Sequence, residues 1–256
     1  TGDGVNDAPA LKRADVGVAM GLRGSDVSRE VADLVLLDDN FTTIVKAVEE
    51  GRSIYENIQK FLRFLFSTNL SEVLVIAGGA VIAFLIGLRD ETGSLMLPLT
   101  AAQILWINLL TDGLPAIALA FDHTRGVMQQ KPRPAGSPLL DQPSLRFVVG
   151  VGTMKAGLAL ALLGALPLFG YSLEVSRAAT FHFMAVGQLF LTYPSRHTWM
   201  RPDTNMYLHA AVLGAIGVQF LPASLPFVAN LLGNAAIPLE LWVVVFTAAF
   251  GSWGLA

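Results

Sequence analysis

The sequence of 256 residues contains no cysteine, and only 14% of its residues are charged. Without cysteine there is neither a disulfide framework nor a thiolate metal site, which disfavours a carrier of soft metals. The low charge content argues against a disordered chain, a nucleic-acid binder or an ordinary soluble enzyme, because a surface in contact with water needs more charged side chains. The net charge of −3 indicates no polyanionic or polycationic partner.

Hydrophobic residues make up 53% of the chain, and the charged ones are concentrated at one end. Residues 1–60 hold 7 of the 17 Lys and Arg residues and 11 of the 20 Asp and Glu residues. Most of the remainder consists of apolar stretches of about 20 residues, enough to cross a membrane as a helix. We expect six spans, at residues 61–87, 97–121, 146–169, 175–193, 206–227 and 238–255. Prolines blur the ends of the last two, so a merged or re-entrant arrangement is an alternative there.

The polar head predicts the end of an α/β layer. Two short apolar runs bounded by Asp and Gly, residues 16–20 and 34–37, are typical of buried parallel strands, with helices expected at 8–14 and 25–32. From Phe41 apolar residues recur at helical spacing among charged ones, which predicts an amphipathic helix leading into the first span. The fold class is therefore mainly α, with an α/β head. The expected parts are the head at 1–40, a connecting helix at 41–60 and a membrane domain at 61–256.

The distribution of basic residues predicts the orientation in the membrane. Six spans place both ends of the chain on one side. The loops on that side carry Arg125, Lys131, Arg133, Arg196 and Arg201. The opposite loops carry Arg89 and Arg177. Because loops rich in Lys and Arg stay in the cytoplasm, we expect a cytoplasmic head.

The first eleven residues form a glycine-rich segment with hard oxygen ligands. Asp3, Asn6 and Asp7 lie close together, and Pro9 suits the first turn of a following helix. Such ligands on a tight loop are what magnesium bound to a phosphate requires, although a capped strand-to-helix turn without chemistry is the alternative. The sequence has no Walker-type glycine loop and no Asp-Lys-Thr-Gly run.

Two acids lie about halfway along the first two spans, where an ionisable group costs about 2.5–3.5 kcal/mol on insertion scales. These acids are Glu72 and Asp112. Helical spacing places Asn69 beside Glu72 and Asn108 beside Asp112, with Thr111 close by. Carboxylates, amides and a hydroxyl suit calcium, sodium or potassium better than copper or zinc. Hydrogen bonding between helices is the alternative role.

Two features of the second and third spans bear on this site. Gly113 and Pro115 weaken the helix directly after Asp112, as expected where backbone carbonyls face an ion. Lys155, within the third span, is expected to extend towards a polar neighbour or the interface rather than to take part in transport.

The segment Thr-Gly-Asp-Gly-Val-Asn-Asp-Ala-Pro-Ala-Leu at 1–11 resembles the hinge motif of P-type ATPases. The likeness continues through residues 14–21 and 50–55. It implies a haloacid-dehalogenase-like Rossmann fold for the phosphorylation domain that ends in the head. It also implies that Asp3 coordinates the catalytic Mg²⁺ and that Asn6 and Asp7 hold the phosphorylated carboxylate and its phosphate. Gly2 and Gly4 belong to the same cofactor-binding loop.

The same resemblance implies that the chain is the carboxy-terminal part of a longer pump. The phosphorylated aspartate, the nucleotide-binding and actuator domains and four earlier spans would precede Thr1. ATP as substrate would bind mainly there. The expected partners are this preceding part of the polypeptide and the lipid bilayer, with no nucleic acid, and the compact loops suit a bacterial plasma membrane.

Residues 69–72 and 108–116 resemble the ion-binding segments of calcium-transporting P-type ATPases. Sodium-potassium pumps usually have Asp in place of Asn108, which favours calcium. Gln188, in the fourth span, stands where two-site calcium pumps have glutamate, so a second calcium site would be weak or absent. Sodium-potassium pumps also have Gln there. We therefore expect calcium export through an aspartyl-phosphate, with a pump for sodium or another monovalent cation as the alternative and a non-enzymatic carrier or channel as a distant one.

Overall fold

The computed structural model describes residues 1–89, 93–124, 126–134, 136–196 and 204–256. They form two compact units, Thr1–Ile54 and Tyr55–Ala256. Two residues used above to predict the orientation, Arg125 and Arg201, lie outside the described residues.

The first unit contains two parallel strands and two short helices. Strands β1 (Val18–Met20) and β2 (Leu34–Leu36) pair in parallel. Helix α1 (Ala8–Arg13) precedes β1, and α2 (Asp26–Val31) lies between the strands in the chain. Each element lies where the sequence predicts it. Val18, Met20 and Leu36 are buried and pack with Ile44. Leu34 and Val35 are exposed, so β2 is only partly buried, whereas the sequence predicts a buried strand.

Helix α3 (Phe41–Ile86) is one continuous helix of 46 residues. It contains both the predicted connecting helix and the predicted first span, and it has no proline to interrupt its hydrogen bonds. At 1.5 Å per residue its length is about 69 Å. The predicted boundary between the connecting helix and the first span, at residue 61, therefore does not interrupt α3.

The second unit adds eight helices and a π-helical segment within the described residues. They are α4 (Ala101–Trp106), the π segment (Ile107–Thr111), α5 (Gly113–Ala120), α6 (Gln142–Ala165), α7 (Leu173–Ser195), α8 (Met206–Gln219), α9 (Leu221–Ser224), α10 (Pro226–Leu232) and α11 (Leu239–Leu255). Four start where a side-chain oxygen accepts a hydrogen bond from a first-turn N–H, which stabilises the helix start. These capping residues are Thr100, Asp141, Ser172 and Asn205.

Four helical stretches of the described residues are long and apolar enough to cross a membrane. They are Phe41–Ile86, Ala101–Ala120, Gln142–Phe169 and Met206–Ser224. Helices α7, with 23 residues, and α11, with 17, occupy the other two predicted positions. Helix α7 is buried along most of its length, so its surroundings are largely protein, which explains why it is less apolar than a lipid-facing helix.

The predicted fifth span, residues 206–227, is not one helix. Helix α8 ends at Gln219, and the chain continues as α9 and α10. Pro222 and Pro226 each stand in the first turn of a new helix, where the missing N–H and the fixed φ of proline are tolerated.

The core of the second unit is centred on α7. Helices α6 and α11 pack on it, and Phe181, Phe183 and Met184 are fully buried there. A second buried cluster joins α5, α7 and α8 through Leu119, Leu189 and other apolar side chains.

Candidate functional site

The glycine-rich loop at the start of the chain is organised by the carboxylate of Asp7. One oxygen, Oδ2, accepts hydrogen bonds from the N–H of Gly4 at 2.9 Å and from the N–H of Asp3 at 3.0 Å. These two bonds stabilise the charged form and lower the pKa of Asp7. A Cβ on Gly2 would lie 2.5 Å from the Cβ of Asp7, so this turn requires glycine at position 2.

The loop follows a short pairing of the chain with β1. The N–H of Gly2 donates to the carbonyl of Val18 at 3.0 Å, and its carbonyl accepts from Met20 at 3.2 Å, in parallel sense. The loop therefore lies at the carboxyl end of the sheet, where α/β folds place their ligand sites. The backbone carbonyl of Asp3 accepts from the N–H of Ser25 at 2.7 Å. The side chains of Asp3 and Asn6 are exposed.

The two acids of the predicted spans are buried and lie on neighbouring helical segments. Glu72 is 4% exposed and Asp112 is 2% exposed. Glu72 accepts through Oε2 from the amide Nδ2 of Asn108 at 3.3 Å. Asp112 accepts through Oδ2 from the hydroxyl of Thr68, also at 3.3 Å. Within the described part of the chain, the other oxygens, Glu72 Oε1 and Asp112 Oδ1, have no hydrogen-bond partner. Each acid thus presents one buried oxygen without a donor.

Next to these acids a second chain of contacts joins α6, α7 and the π segment. The ammonium of Lys155 donates to Gln188 Oε1 at 3.1 Å, and Gln188 Nε2 donates to the hydroxyl of Thr111 at 2.6 Å. The Thr111 hydroxyl in turn donates to the carbonyl of Ile107 at 2.8 Å. All four residues are fully buried. The side chains of Gln188 and Thr111 are therefore held in fixed orientations.

The backbone is distorted just before Asp112. Over Ile107–Thr111 the helix widens to a π-helix, and the N–H of Asp112 donates to the carbonyl of Ile107 at 3.0 Å. Pro115 has no N–H, so the carbonyl of Thr111 lacks its usual helical donor. The sequence predicts unwinding after Asp112, whereas the distortion lies one turn earlier. Such π segments are frequent at functional sites.

The contacts between helices differ from those expected along each helix. Glu72 pairs with Asn108 across the interface, and Asp112 pairs with Thr68. Asn69, predicted beside Glu72, is exposed on α3. Of the six predicted cation ligands, Asn108 thus contacts Glu72 and Gln188 contacts Thr111. Within the described residues, no three His, Cys, Asp or Glu side chains form a metal-binding group.

Comparison with known protein families gives independent information about this chain. The family described as "Cation transporting ATPase, C-terminus" matches residues 96–256, which include Asn108, Thr111, Asp112 and Gln188. The chain belongs to this family.

Relatives of this chain carry different transport names. A calcium-transporting ATPase of Bacillus subtilis is 38% identical over 96% of this chain and 27% of its own length. An endoplasmic reticulum calcium ATPase of Aspergillus fumigatus is 49% identical over 67% of this chain and 16% of its own. A P-type sodium-transporting ATPase of Toxoplasma gondii is 47% identical over 63% of this chain and 12% of its own. The chain spans about a quarter of the length of relatives such as the Bacillus protein.

One residue of the site, Thr68, is not predicted from the sequence. Thr68 lies four residues before Glu72, one helical turn away, and that spacing is a signal that could have found it. The expectation that Lys155 extends towards a polar neighbour is confirmed, because its ammonium donates to Gln188.

The second unit also contains a buried ion cluster that the sequence does not indicate. Asp122 accepts from Lys60 Nζ at 2.7 Å, from Arg196 at 2.8 and 3.0 Å and from Asn205 at 3.0 Å. Burial alone would raise the pKa of Asp122, but the bonds from Arg196 and Lys60 outweigh it and lower that pKa. The cluster joins α3 and α7 to the segments that follow α5 and precede α8. It therefore stabilises the packing of these elements against one another.

Proposed function

We propose that this chain supplies the membrane cation site and the phosphate loop of an ATP-driven cation pump. The observation that carries the proposal is the pair of buried acids, Glu72 and Asp112, each with one oxygen that has no donor among the residues that the structure describes. A charged oxygen that is buried without a partner costs free energy, so a bound cation would stabilise these two oxygens. The pump would export calcium from the cytosol through an aspartyl-phosphate intermediate.

The donors around the acids support a hard cation. Asn108 and Thr68 each hold one carboxylate oxygen, which orients the remaining oxygen of each acid. Thr111 and Asn69 add further oxygens on the same two helical segments, although Asn69 is exposed. Oxygen ligands without thiolate or imidazole favour calcium or an alkali cation.

Calcium is the first candidate for the transported ion. Asn108 favours it, and relatives in Bacillus and Aspergillus carry calcium-transporting names. A monovalent cation is the second candidate because Gln188 is uncharged and a relative in Toxoplasma is named for sodium transport. In either case the side chain of Gln188 is bound at both ends, so we propose that it orients Thr111 and ligates an ion weakly if at all.

The loop at residues 1–7 fits a magnesium-bound phosphate. Asp3 offers an exposed carboxylate and Asn6 an exposed amide, while Asp7 holds the turn through the N–H groups of Asp3 and Gly4. Mg²⁺ held by Asp3 would neutralise phosphate charge there. Gly2 and Gly4 keep the backbone close to the phosphate, and the parallel strands fit the end of a haloacid-dehalogenase-like domain.

We assign the parts as predicted: 1–40 to the phosphorylation domain, 41–60 to the connecting helix and 61–256 to the membrane domain in a lipid bilayer, with the head cytoplasmic. The continuity of α3 supports a mechanical connection between the first part and the third. Ion occupancy and phosphorylation would then influence each other, since coupling between sites is reciprocal.

The proposal is tested by acid-stable phosphoenzyme formation from labelled ATP in the intact protein. Calcium is titrated against chelator, and sodium is titrated separately. Label that depends on calcium and needs at least about tenfold more calcium in Glu72→Gln and Asp112→Asn supports a calcium pump, because a tenfold change corresponds to about 1.4 kcal/mol of binding. Label that follows sodium alone selects the monovalent pump, and no label with any ion contradicts the proposal.

A further inference from the structure

Lys155 is a third ionisable residue close to the two buried acids, Glu72 and Asp112. It is fully buried in α6, where its ammonium donates a hydrogen bond to Gln188 Oε1 at 3.1 Å. Gln188 in turn donates to the hydroxyl of Thr111, the residue before Asp112, at 2.6 Å, so two hydrogen bonds connect the ammonium to the segment that carries Asp112. From this position the positive charge of Lys155 attracts the carboxylates of Asp112 and Glu72. A buried lysine inside a membrane helix is costly, so its retention beside two acids requires a reason.

Helix packing fixes the position of Lys155. One turn before it, Gly152 allows α6 to approach α3, since a Cβ there would lie 2.9 Å from Leu70 Cδ2. On the other side Gly187 of α7 faces the Lys155 side chain, and a Cβ there would lie 3.6 Å from its Cε. The Lys155 side chain thus packs against α7, and its ammonium is bound to the neutral amide of Gln188.

We propose that the Lys155 ammonium is a fixed counter-charge of the cation site and sets how strongly the site favours cations of higher charge. This inference rests on the proposed function, because it assumes that Glu72 and Asp112 hold the transported ion. With Lys155 charged, these three side chains have a net charge of −1 rather than −2, so the site holds a cation less tightly than the two acids alone would.

The electrostatic argument gives a quantitative signature. The repulsion between the ammonium and a bound cation is proportional to the charge of the cation. The logarithm of the affinity gained on removing that repulsion therefore rises in the ratio 1:2:3 for monovalent, divalent and trivalent ions. A purely structural lysine would change the affinity for all three ions by the same factor.

The test is equilibrium binding of ⁴⁵Ca²⁺ to the purified intact protein, with Na⁺ and La³⁺ measured as competitors. The variants are Lys155→Met and Lys155→Gln, which remove the charge, and Lys155→Arg, which keeps it. We expect the neutral variants to bind Na⁺, Ca²⁺ and La³⁺ about 3-fold, 10-fold and 30-fold more tightly than the wild type, in line with this charge ratio. The arginine variant should stay within about threefold of the wild type for each ion.

A second variant guards against misfolding of the neutral ones. Gln188→Glu places a carboxylate at the atom that now accepts from Lys155, so the ammonium is neutralised by pairing while the lysine remains. We expect this variant also to bind the three ions more tightly than the wild type, with the gain increasing from Na⁺ to Ca²⁺ to La³⁺. Equal factors for the three ions, or weaker binding of Ca²⁺ in folded variants, would overturn the inference while leaving the pump intact. If the wild type binds none of the ions, the proposed function fails as well.

Discussion

Buried acids in this chain have two opposite hydrogen-bonding environments. Asp122 is fully buried and receives hydrogen bonds from Lys60, Arg196 and Asn205. Glu72 and Asp112 are equally inaccessible, yet each keeps one oxygen without a donor among the described residues. A fully bonded acid needs no ligand. An acid with a free buried oxygen is stabilised by one.

The first prediction concerns Asp122. In Asp122→Asn the buried ammonium of Lys60 loses the carboxylate that it contacts at 2.7 Å, which costs about 3–5 kcal/mol of unfolding free energy. Denaturant unfolding of the purified protein measures this loss. The control is Asp26→Asn, because Asp26 pairs with Arg29 on the surface and such pairs contribute less than about 1 kcal/mol. Equal losses in the two variants would contradict the structural role of the cluster.

The second prediction concerns how the glycine-rich loop at residues 1–7 responds to pH. The bonds from Gly4 and Asp3 lower the pKa of Asp7 below its ordinary value of 3.8. A lowered folded-state pKa means that this stabilisation is complete above the ordinary value and is lost as the pH falls through the folded one. The amide signals of Asp3 and Gly4 should therefore move only below pH 3.8 in an NMR titration. Asp7→Asn should remove this step, and a step above the ordinary value would argue against the loop geometry.

At the scale of helices, close approach at glycine positions decides how α3 packs. A Cβ on Gly79 would lie 1.9 Å from Cγ of Pro98, a rigid ring that cannot move aside, whereas Gly51 on the same helix has nothing within 4 Å. Gly79→Ala should therefore destabilise the protein by about 1–3 kcal/mol through overpacking. Gly51→Ala should stabilise it by up to about 1 kcal/mol through helix propensity. Thermal unfolding compares the two, and a neutral Gly79→Ala would show that the two segments do not touch.

Most helices and both strands were predictable because each rests on a local pattern. The strands at Val18–Met20 and Leu34–Leu36 follow from short apolar runs, and α3 follows from helical periodicity without proline. The break after Gln219 was open in the sequence, because proline tolerates both a kink and a new helix start. The π segment was not predictable, since its widening depends on how the chain around Asp112 packs against its neighbours.

At the scale of the whole molecule, α3 is the element shared by the unit Thr1–Ile54 and the unit Tyr55–Ala256. Exposed Glu49 and Glu50 precede Gly51, so Glu49→Gly with Glu50→Gly creates three consecutive glycines without touching a buried side chain. Each Gly costs the helix about 1 kcal/mol relative to Ala. We expect calcium binding to be retained and calcium-dependent phosphorylation to slow at least about tenfold, equivalent to about 1.4 kcal/mol in the barrier.

The matched control for this change is the double substitution of Glu49 and Glu50 by alanine, which removes the same charges and keeps the helix. Phosphorylation rates are measured with labelled ATP in the intact protein. If the glycine and alanine variants phosphorylate equally fast, α3 does not carry the coupling.

The acids of the site were predictable, and their partners were not. Glu72 and Asp112 stand out because charged residues are rare inside apolar spans. Thr68 lies one helical turn from Glu72, but this spacing does not show that it contacts Asp112, and Lys155 reaches the site from another helix. Sequence periodicity fixes neighbours along one helix. Contacts between helices depend on packing that the sequence does not encode locally.

The central claim is that Glu72 and Asp112 together bind the transported cation. The most direct test is equilibrium binding of ⁴⁵Ca²⁺ to the intact protein, compared between wild type, Glu72→Gln, Asp112→Asn and the control Glu174→Gln, an exposed acid of α7. The account predicts that both site variants weaken calcium binding at least about tenfold, or about 1.4 kcal/mol, while the control binds as the wild type does. Unchanged binding in either folded site variant would contradict it.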